Sequence, residues 1–431
     1  MLSSYMRKRL KANRLLALVL SGIVVVSIGC GIFKEKTVSE PETIKIEENK
    51  AGGQTANGNS AGNGDGTDNA GDGQNAEDGV ITASLLAVGD DLIHSGLYKS
   101  GMNGDGVWNY DHLYEHVKDD VSAADLAIVN QETILINDRN NLSGYPSFGS
   151  PVEIADALAN CGFDVVLHAT NHVMDRGADG IHQTMEYWST HFPQITVLGI
   201  HDSQEDADTV KVVDVKGIKI AMLNYTYGMN GYTLPEDEPY LVDILEKERV
   251  GAMIDKAKEI SDMVIFFAHV GTEYMYEPSE YSKEWVNFLL EKGVDIAIDS
   301  HPHVLEPYTM LTGEDGHQML VYYSMGNFIS TQDEVPRLLG GMAKINIEKR
   351  TENGVSTVSV TDYTLEPVIS HWNHNTGVYA VYKLSDYTDE LAAGHALSFT
   401  VEQMQQLFDD IMNTEVTPAT GVLQDGVYSE T

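Results

Sequence analysis

Cysteine is nearly absent. The 431 residues hold two, Cys30 and Cys161, so no disulfide framework is on offer and the core must fold without covalent staples. Positive charge is scarce as well. Lys and Arg number 27 against 65 Asp and Glu, a formal net charge of −38, and such a field repels nucleic acid and any other polyanion. A polyanionic ligand therefore needs metal ions or a local basic patch to approach. No internal repeat is found. The length alone allows two or three domains and gives ample chain for a full core.

What positive charge exists is concentrated early. Arg7, Lys8, Arg9, Lys11 and Arg14 precede an apolar run from Leu15 to Ile28, the layout of a secretory signal, which predicts an extracytoplasmic protein. Cys30 closes "VVVSIGC" and resembles the lipidated cysteine of a bacterial lipoprotein signal, although Ser27 stands where Leu is usual. The other reading is an uncleaved helix, since Leu15 to Phe33 is almost long enough to span a bilayer. Both readings tether the protein outside the membrane.

Residues 1–30 are thus read as anchor and 31–80 as a disordered acidic linker. "AGGQTANGNSAGNGDGTDNAGDGQNAEDG" is rich in Gly, Asn, Asp and Ala and has almost nothing to bury. Its Gly58-Asn59-Ser60-Ala61-Gly62 matches the G-x-S-x-G pattern, but neither strand nor helix flanks it, so it is a chance match. From residue 81 to 385, aliphatic runs such as "TASLLAVG", "DLAIVN", "DVVLHAT", "IKIAMLNYT", "DMVIFFAH" and "VDIAIDS" alternate with amphipathic stretches such as "SPVEIADALANCG" and "KEWVNFLLEKG". That alternation predicts an α/β domain with much parallel sheet. The later "QMLVYYSMGNF", "GGMAKINIEKR" and "VSTVSVTDYTLEP" predict strands joined by short turns, forming a second sheet packed on the first. Residues 386–431 contribute one capped exterior helix, "SFTVEQMQQLFDDIM", and a tail.

The six predicted strands in the α/β part end in ligand-type residues. The first runs into Asp90, Asp91 and then His94; the second into Asn130 and Glu132; the third into Asn171, His172 and then Asp175. The fourth ends at Asn224, the fifth at His269 followed by Glu273, and the sixth at His301 and His303. Strand carboxyl ends of an open α/β sheet line one crevice. A His, Asp, Glu and Asn set without thiolate suits Mn, Fe, Zn or Mg. Taken singly each has a plain structural reading: Asp90-Asp91 as a turn pair, Asn130 and Asn171 as helix caps, His94 as a loop residue, His269 as a core residue. Asn224 reads as a strand-end turn residue, and Ser324 as structural. The coincidence of six ends, and above all His301-Pro302-His303, is what the structural readings do not absorb. Pro302 favours extended backbone before it, with both rings projecting rigidly from one loop.

The stretches "AVGDDLIH", "NQET", "ATNHVMDRG", "HVGTEY", "DSHPHVLEP" and "YSMGNF", in that order, resemble the bacterial CapA/PgsA family of poly-γ-glutamate capsule synthesis, a branch similar to the calcineurin-like metallophosphoesterases. They run from Ala87 to Phe328. The resemblance implies a metallophosphoesterase-like αββα sandwich with two packed mixed sheets. It also implies a metal set of Asp90, Glu132, Asn171, His269, His301 and His303, with His94, Asn130 and Glu273 as possible additions. His172, Asn171 and Asp175 are then the catalytic group, with His172 facing substrate. Enzymes of that kind use two metals to activate hydroxide for in-line attack. The sequence departs at three places: Asp91 and Leu92 follow Asp90 where D-x-H is usual, the bridging acid is the longer Glu132, and Val270 replaces a usual Trp.

Two function classes follow. One is a metal-dependent hydrolase, with one or two divalent ions, acting on phosphoester or γ-glutamyl amide bonds. The alternative is a non-catalytic accessory protein of a capsule-polymer synthase, holding polymer or a membrane subunit of that synthase through the same crevice. In either case the expected partners are capsule polymer or a small anionic substrate, not nucleic acid.

Overall fold

The computed structural model describes residues 43–45 and 78–417, apart from 103 and 105. The signal-like N-terminus, Cys30, the G-x-S-x-G match and most of 31–80 lie outside the described residues. Two mixed sheets carry the fold. The first has the order β1 (Thr43–Lys45), β8 (Lys211–Val215), β9 (Ile218–Thr226), β10 (Met263–His269), β11 (Ile296–Ser300), β13 (Gln318–Tyr322) and β12 (Tyr308–Thr312). The second runs β17 (Val378–Lys383), β16 (Val355–Asn373), β15 (Leu339–Glu352), β2 (Gly79–Asp91), β3 (Leu126–Asn130), β6 (Val165–Leu167) and β7 (Thr196–Leu198), with β14 (Asn327–Ile329) also on β2. A small pair, β4 (Leu135–Ile136) and β5 (Ser150–Pro151), stands apart.

Period-two alternation decides what each strand face buries. In β10, Met263, Ile265 and Phe267 join the large core that also takes Leu85 and Val88 of β2. The intervening Val264, Phe266 and Ala268 pack instead with Val250, Met253 and Ile254 of the helix Lys247–Ile260 and with Trp285, Val286 and Leu289 of the helix Glu280–Lys292. A strand covered on both faces reads as a continuous apolar run, as "MVIFFA" does. On the other sheet, Ile154 and Leu158 of the helix Glu153–Cys161 belong to the cluster that holds Leu126 and Ile128. The result is the expected αββα sandwich of two packed mixed sheets.

Three details differ from the sequence reading. The second sheet is not built from the later strands alone: β15 pairs antiparallel with β2 from Thr351↔Gly79 to Met342↔Val88, so β15–β17 extend the sheet begun by β2, β3 and β6. "QMLVYY", assigned to that later sheet, instead pairs parallel with β11. Within the stretch read as linker, Thr43–Lys45 pairs parallel with β8 and β2 already begins at Gly79. The helix Val401–Met412 is capped as expected, by a Thr400/Gln403 capping box, and buries Met404 and Ile411.

Parallel blocks fix where the chemistry goes. β2, β3, β6 and β7 run parallel in one sheet, and β9, β10, β11 and β13 in the other. Their carboxyl ends therefore emerge side by side, and the connections after them are free to carry polar residues.

Just past the carboxyl end of β7, His201 is pinned between two acids, Nδ1 donating to Asp206 at 3.0 Å and Nε2 to Asp243 at 2.8 Å. Asp206 is also held by Lys211. Burial pulls the imidazole down, but the two carboxylates outweigh it and raise its pKa to about 9. A raised folded pKa means stability fully present below the free value near 6.5 and lost as pH climbs through about 9. His201→Gln should therefore cost about 2 to 3 kcal/mol at pH 6, shrinking toward nothing above pH ~9.5. Urea unfolding of both proteins across that range checks this; a difference constant with pH would contradict it.

Candidate metal centre

Each site residue is delivered by a strand end or the turn after it. Asp90, one residue before the end of β2, lies beside Asn130 of β3 and Asn327 of β14. Asn130 Nδ2 donates to Asp90 Oδ1 at 2.8 Å and to Ser300 Oγ at 3.0 Å, so one amide ties the two sheets together at the crevice. Asp91 is excluded by alternation. Both its carboxylate oxygens accept from Tyr114 OH at 3.0 Å, and burial lifts its pKa to about 8.

Glu132 is the centre of the arrangement. It is fully buried, and neither Oε1 nor Oε2 has a hydrogen-bond partner. His269 Nε2 and His303 Nε2 stand 3.8 and 3.7 Å from its Oε1. Burial pushes its carboxyl well above the usual range, with Asp90, Glu273 and Asp175 adding to the rise and His303 opposing it. A buried, orphaned carboxylate costs several kcal/mol unless a cation compensates it.

The histidines are prepared for ligation. His269 Nδ1 lies 3.2 Å from Ser300 Oγ, and the tautomer donating there leaves the Nε2 lone pair toward Glu132 and toward Asn171 Oδ1 at 3.0 Å. Burial, reinforced by His301, His303 and His172, holds His269 well below the ordinary imidazole pKa. His301 is held down by burial and by His303 and His172, and its Nδ1 has no partner. His303 differs: burial lowers it, but Glu132 and Asp90 outweigh burial and raise it to about 9. Its Nδ1 lies 3.1 Å from both Asp90 Oδ2 and Asn327 Oδ1, which leaves Nε2 for the centre.

The His301-Pro302-His303 loop is not extended as proline alone favours. His301 has φ 106° and His303 φ 58°, left-handed backbone that costs L-residues of order 1 to 3 kcal/mol each. Local contacts over-determine it. His301 N donates to Asp90 Oδ2 at 3.4 Å, Val270 N to Ser300 O at 2.9 Å, and Tyr274 N to Pro302 O at 2.8 Å. A Cβ on Gly271 would meet Pro302 Cγ at 2.8 Å, so the "HVGTEY" turn needs glycine to lie this close.

Ligand atoms of Asp90, Glu132 and His303 fall within 4.8 Å of one another, and so do those of Glu273, His301 and His303. The two groups share His303. Orphaned buried ligand atoms, His269 and His301 held toward the neutral imidazole, and an oxygen-rich, thiolate-free set fit a hard or borderline divalent cation. Asn171 and His269 flank the first group. His94 lies outside both groups; its Nδ1 stands 3.1 Å from Leu92 O and 3.3 Å from Thr331 N, and burial lowers its pKa to about 4. Asn130 acts behind Asp90. Asn224 also serves the backbone, its Oδ1 accepting from Ala169 N at 2.8 Å, and Ser324 Oγ donates to Val304 O at 2.8 Å.

His172 sits at the rim with Asp175. Its Nδ1 donates to Asp175 Oδ2 at 2.7 Å, and Phe148 N donates to the same oxygen at 2.6 Å. The Phe148 ring meets His172 edge-on at 4.7 Å. This fixes the imidazole plane and leaves Nε2 as the reactive nitrogen. Phe148, Ser300, Asn327 and Asn230 were not singled out in the sequence as functional. Ser300 was findable, as the last residue of the "DIAIDS" strand; Phe148 and Asn230 lie in loops that no strand end announces.

Residues 84–332 match the family described as bacterial capsule synthesis protein PGA_cap. The chain is 28% identical over 211 residues to the PGA biosynthesis protein CapA of Bacillus subtilis (strain 168), covering 48% of this chain and 53% of that protein. It is 26% identical over 231 residues to the capsule biosynthesis protein CapA of Bacillus anthracis, covering 52% and 54%. The chain thus spans about half the length of the curated relatives it matches. Among solved structures, a Staphylococcus aureus protein described as a 5'-nucleotidase aligns at 16% identity over 76% of this chain and 58% of its own, with a TM-score of 0.41.

Proposed function

Because this chain belongs to the bacterial capsule synthesis protein PGA_cap family, we propose that it acts in poly-γ-glutamate capsule synthesis or anchoring as a metal-dependent hydrolase of phosphoester or γ-glutamyl amide bonds. The observation that carries this is Glu132, a buried carboxylate with both oxygens unpartnered, ringed by His269, His303 and Asp90 beside a rim His172–Asp175 pair. One or two divalent ions, Mn, Fe, Zn or Mg, suit the donor set; bound there, they supply Lewis-acid polarisation and compensate developing negative charge.

The chain's own residues do the rest. Asp90, Glu132, Asn171, His269, His301 and His303, with Glu273 at the exposed side, hold the cation. Asn130, Ser300 and Asn327 orient Asp90, His269 and His303 from behind. His172, kept in one plane by Asp175, gives its Nε2 proton to the leaving group, and the Asp175 carboxylate stabilises the imidazolium before that transfer. The cation also answers the charge problem, since an anionic polymer approaching a chain of net charge −38 needs local positive charge to bind. The basic-then-apolar N-terminus supports a location tethered outside the membrane, where polymer and synthase membrane subunits are the partners.

Full-length protein loaded with Mn2+ or Zn2+ should cleave poly-γ-glutamate or a generic phosphate mono- or diester, lose that turnover to chelator, and regain it on re-addition. Metal bound without cleavage of either class would replace this reading with that of a polymer-holding accessory protein.

A further inference from the structure

Asn230 stands on the turn after β9, exposed, at φ 50° and followed by Gly231 at φ 81°. Asn tolerates this left-handed conformation better than most residues. The turn is anchored. Met229 packs in one small apolar cluster with Val173 and Met174, the residues that follow His172. The same cluster therefore fixes both the Asn230 turn and the Asn171-His172 turn.

The amide of Asn230 reaches both site residues. Asn171 Nδ2 lies 3.4 Å from Asn230 Oδ1, and Asn230 Nδ2 lies 3.4 Å from His172 Nδ1. The network settles which contacts are bonds. His172 Nδ1 carries its proton toward Asp175, so it cannot accept from Asn230. The Asn171 NH2 group donates to Asn230 Oδ1, and Asn171 Oδ1 is then turned, like the His269 Nε2 lone pair 3.0 Å away, toward the cation site. The Asn230 NH2 group is then left at the mouth of the crevice beside His172, with two N–H donors to offer.

We propose that Asn230 is a positioning residue of this centre: it accepts from Asn171, keeping the Asn171 carbonyl oxygen turned toward the cation site, and presents its own N–H donors to an oxygen of an anionic substrate group, phosphoryl or carboxylate. The inference rests on the metal reading above. Its two halves separate by chemistry, because aspartate keeps the acceptor and removes the donor, while glycine keeps the left-handed turn and removes both.

Calorimetric titration of the full chain with Mn2+, and then of the Mn2+-loaded protein with inorganic phosphate, tests this. Asn230→Gly should weaken Mn2+ binding about tenfold, within the range for residues that orient a ligand from behind. Asn230→Asp should return Mn2+ binding to within about threefold of the parent yet bind phosphate at least about tenfold more weakly. Parent-like Mn2+ affinity in Asn230→Gly would overturn the inference while leaving the metal reading intact. So would an equal loss in both variants, which would mark the turn rather than the acceptor. A parent that takes up no Mn2+ removes the metal reading and this inference with it.

Discussion

Glu132→Gln should lower divalent-metal affinity about a hundredfold, or roughly 3 kcal/mol, and at the same time stabilise the metal-free protein. The opposite signs come from one fact. With no cation, the Glu132 carboxylate is buried with two unpartnered oxygens and is driven above its usual pKa, first by burial. A carboxyl whose folded pKa exceeds its unfolded value works against the fold at neutral pH, and the penalty is relieved on acidification. Glutamine has nearly the same shape and no charge, so the chelated variant should melt several degrees above the chelated parent at pH 7, by about 1 to 2 kcal/mol. With saturating Mn2+ the order should reverse, since a hundredfold weaker site gains roughly 3 kcal/mol less linkage energy from its bound ion than the parent does. Melting curves of both proteins with chelator and with Mn2+ would show the crossing. A variant less stable than the parent under both conditions would mean that Glu132 is a structural acid.

His172→Ala should reduce turnover about a hundred- to ten-thousandfold, the usual worth of a positioned general acid, while leaving metal content at the parent level. His172 Nδ1 is spent on Asp175 and its ring is wedged against Phe148, so the residue orients a proton at the rim and holds no place among the converging donor atoms. Asp175→Asn should fall less, about ten- to a hundredfold, because the amide can still hold the ring but stabilises no imidazolium. Steady-state rates, with metal measured on the same samples, separate the cases. Rates lost only in step with bound metal would reassign His172 to the ligand set.

Much of the site was legible in strand ends, for a physical reason. A strand buried on both faces is an unbroken apolar run, so the first Asp, Asn or His after it marks the point where the chain leaves the core, and in parallel blocks those points share one edge. Asp90, Asn130 and His269 of the candidate centre stand at such points. Alternation also separates Asp90 from Asp91, one at the crevice and the other under Tyr114. Pairing order was not legible. β15 meets β2 across some 260 positions of sequence, and neither strand's composition names its neighbour. The backbone of His301 departs from the extended preference before proline because contacts from Asp90 and the Gly271 turn outweigh it. Asn230 escaped because its partner is set by a shared apolar cluster around Met229 and Val173, a tertiary fact with no periodic signature.

Divalent metal is proposed to sit in this crevice, held through the His301-Pro302-His303 loop. The most direct test is metal per chain, by elemental analysis after Mn2+ loading and exhaustive dialysis, for the full-length parent and a His301→Ala/His303→Ala variant. The parent should retain about one or two ions, and a folded variant none above background. A parent that retains no Mn2+ or Zn2+, or a variant that retains as much as the parent, would contradict this proposal.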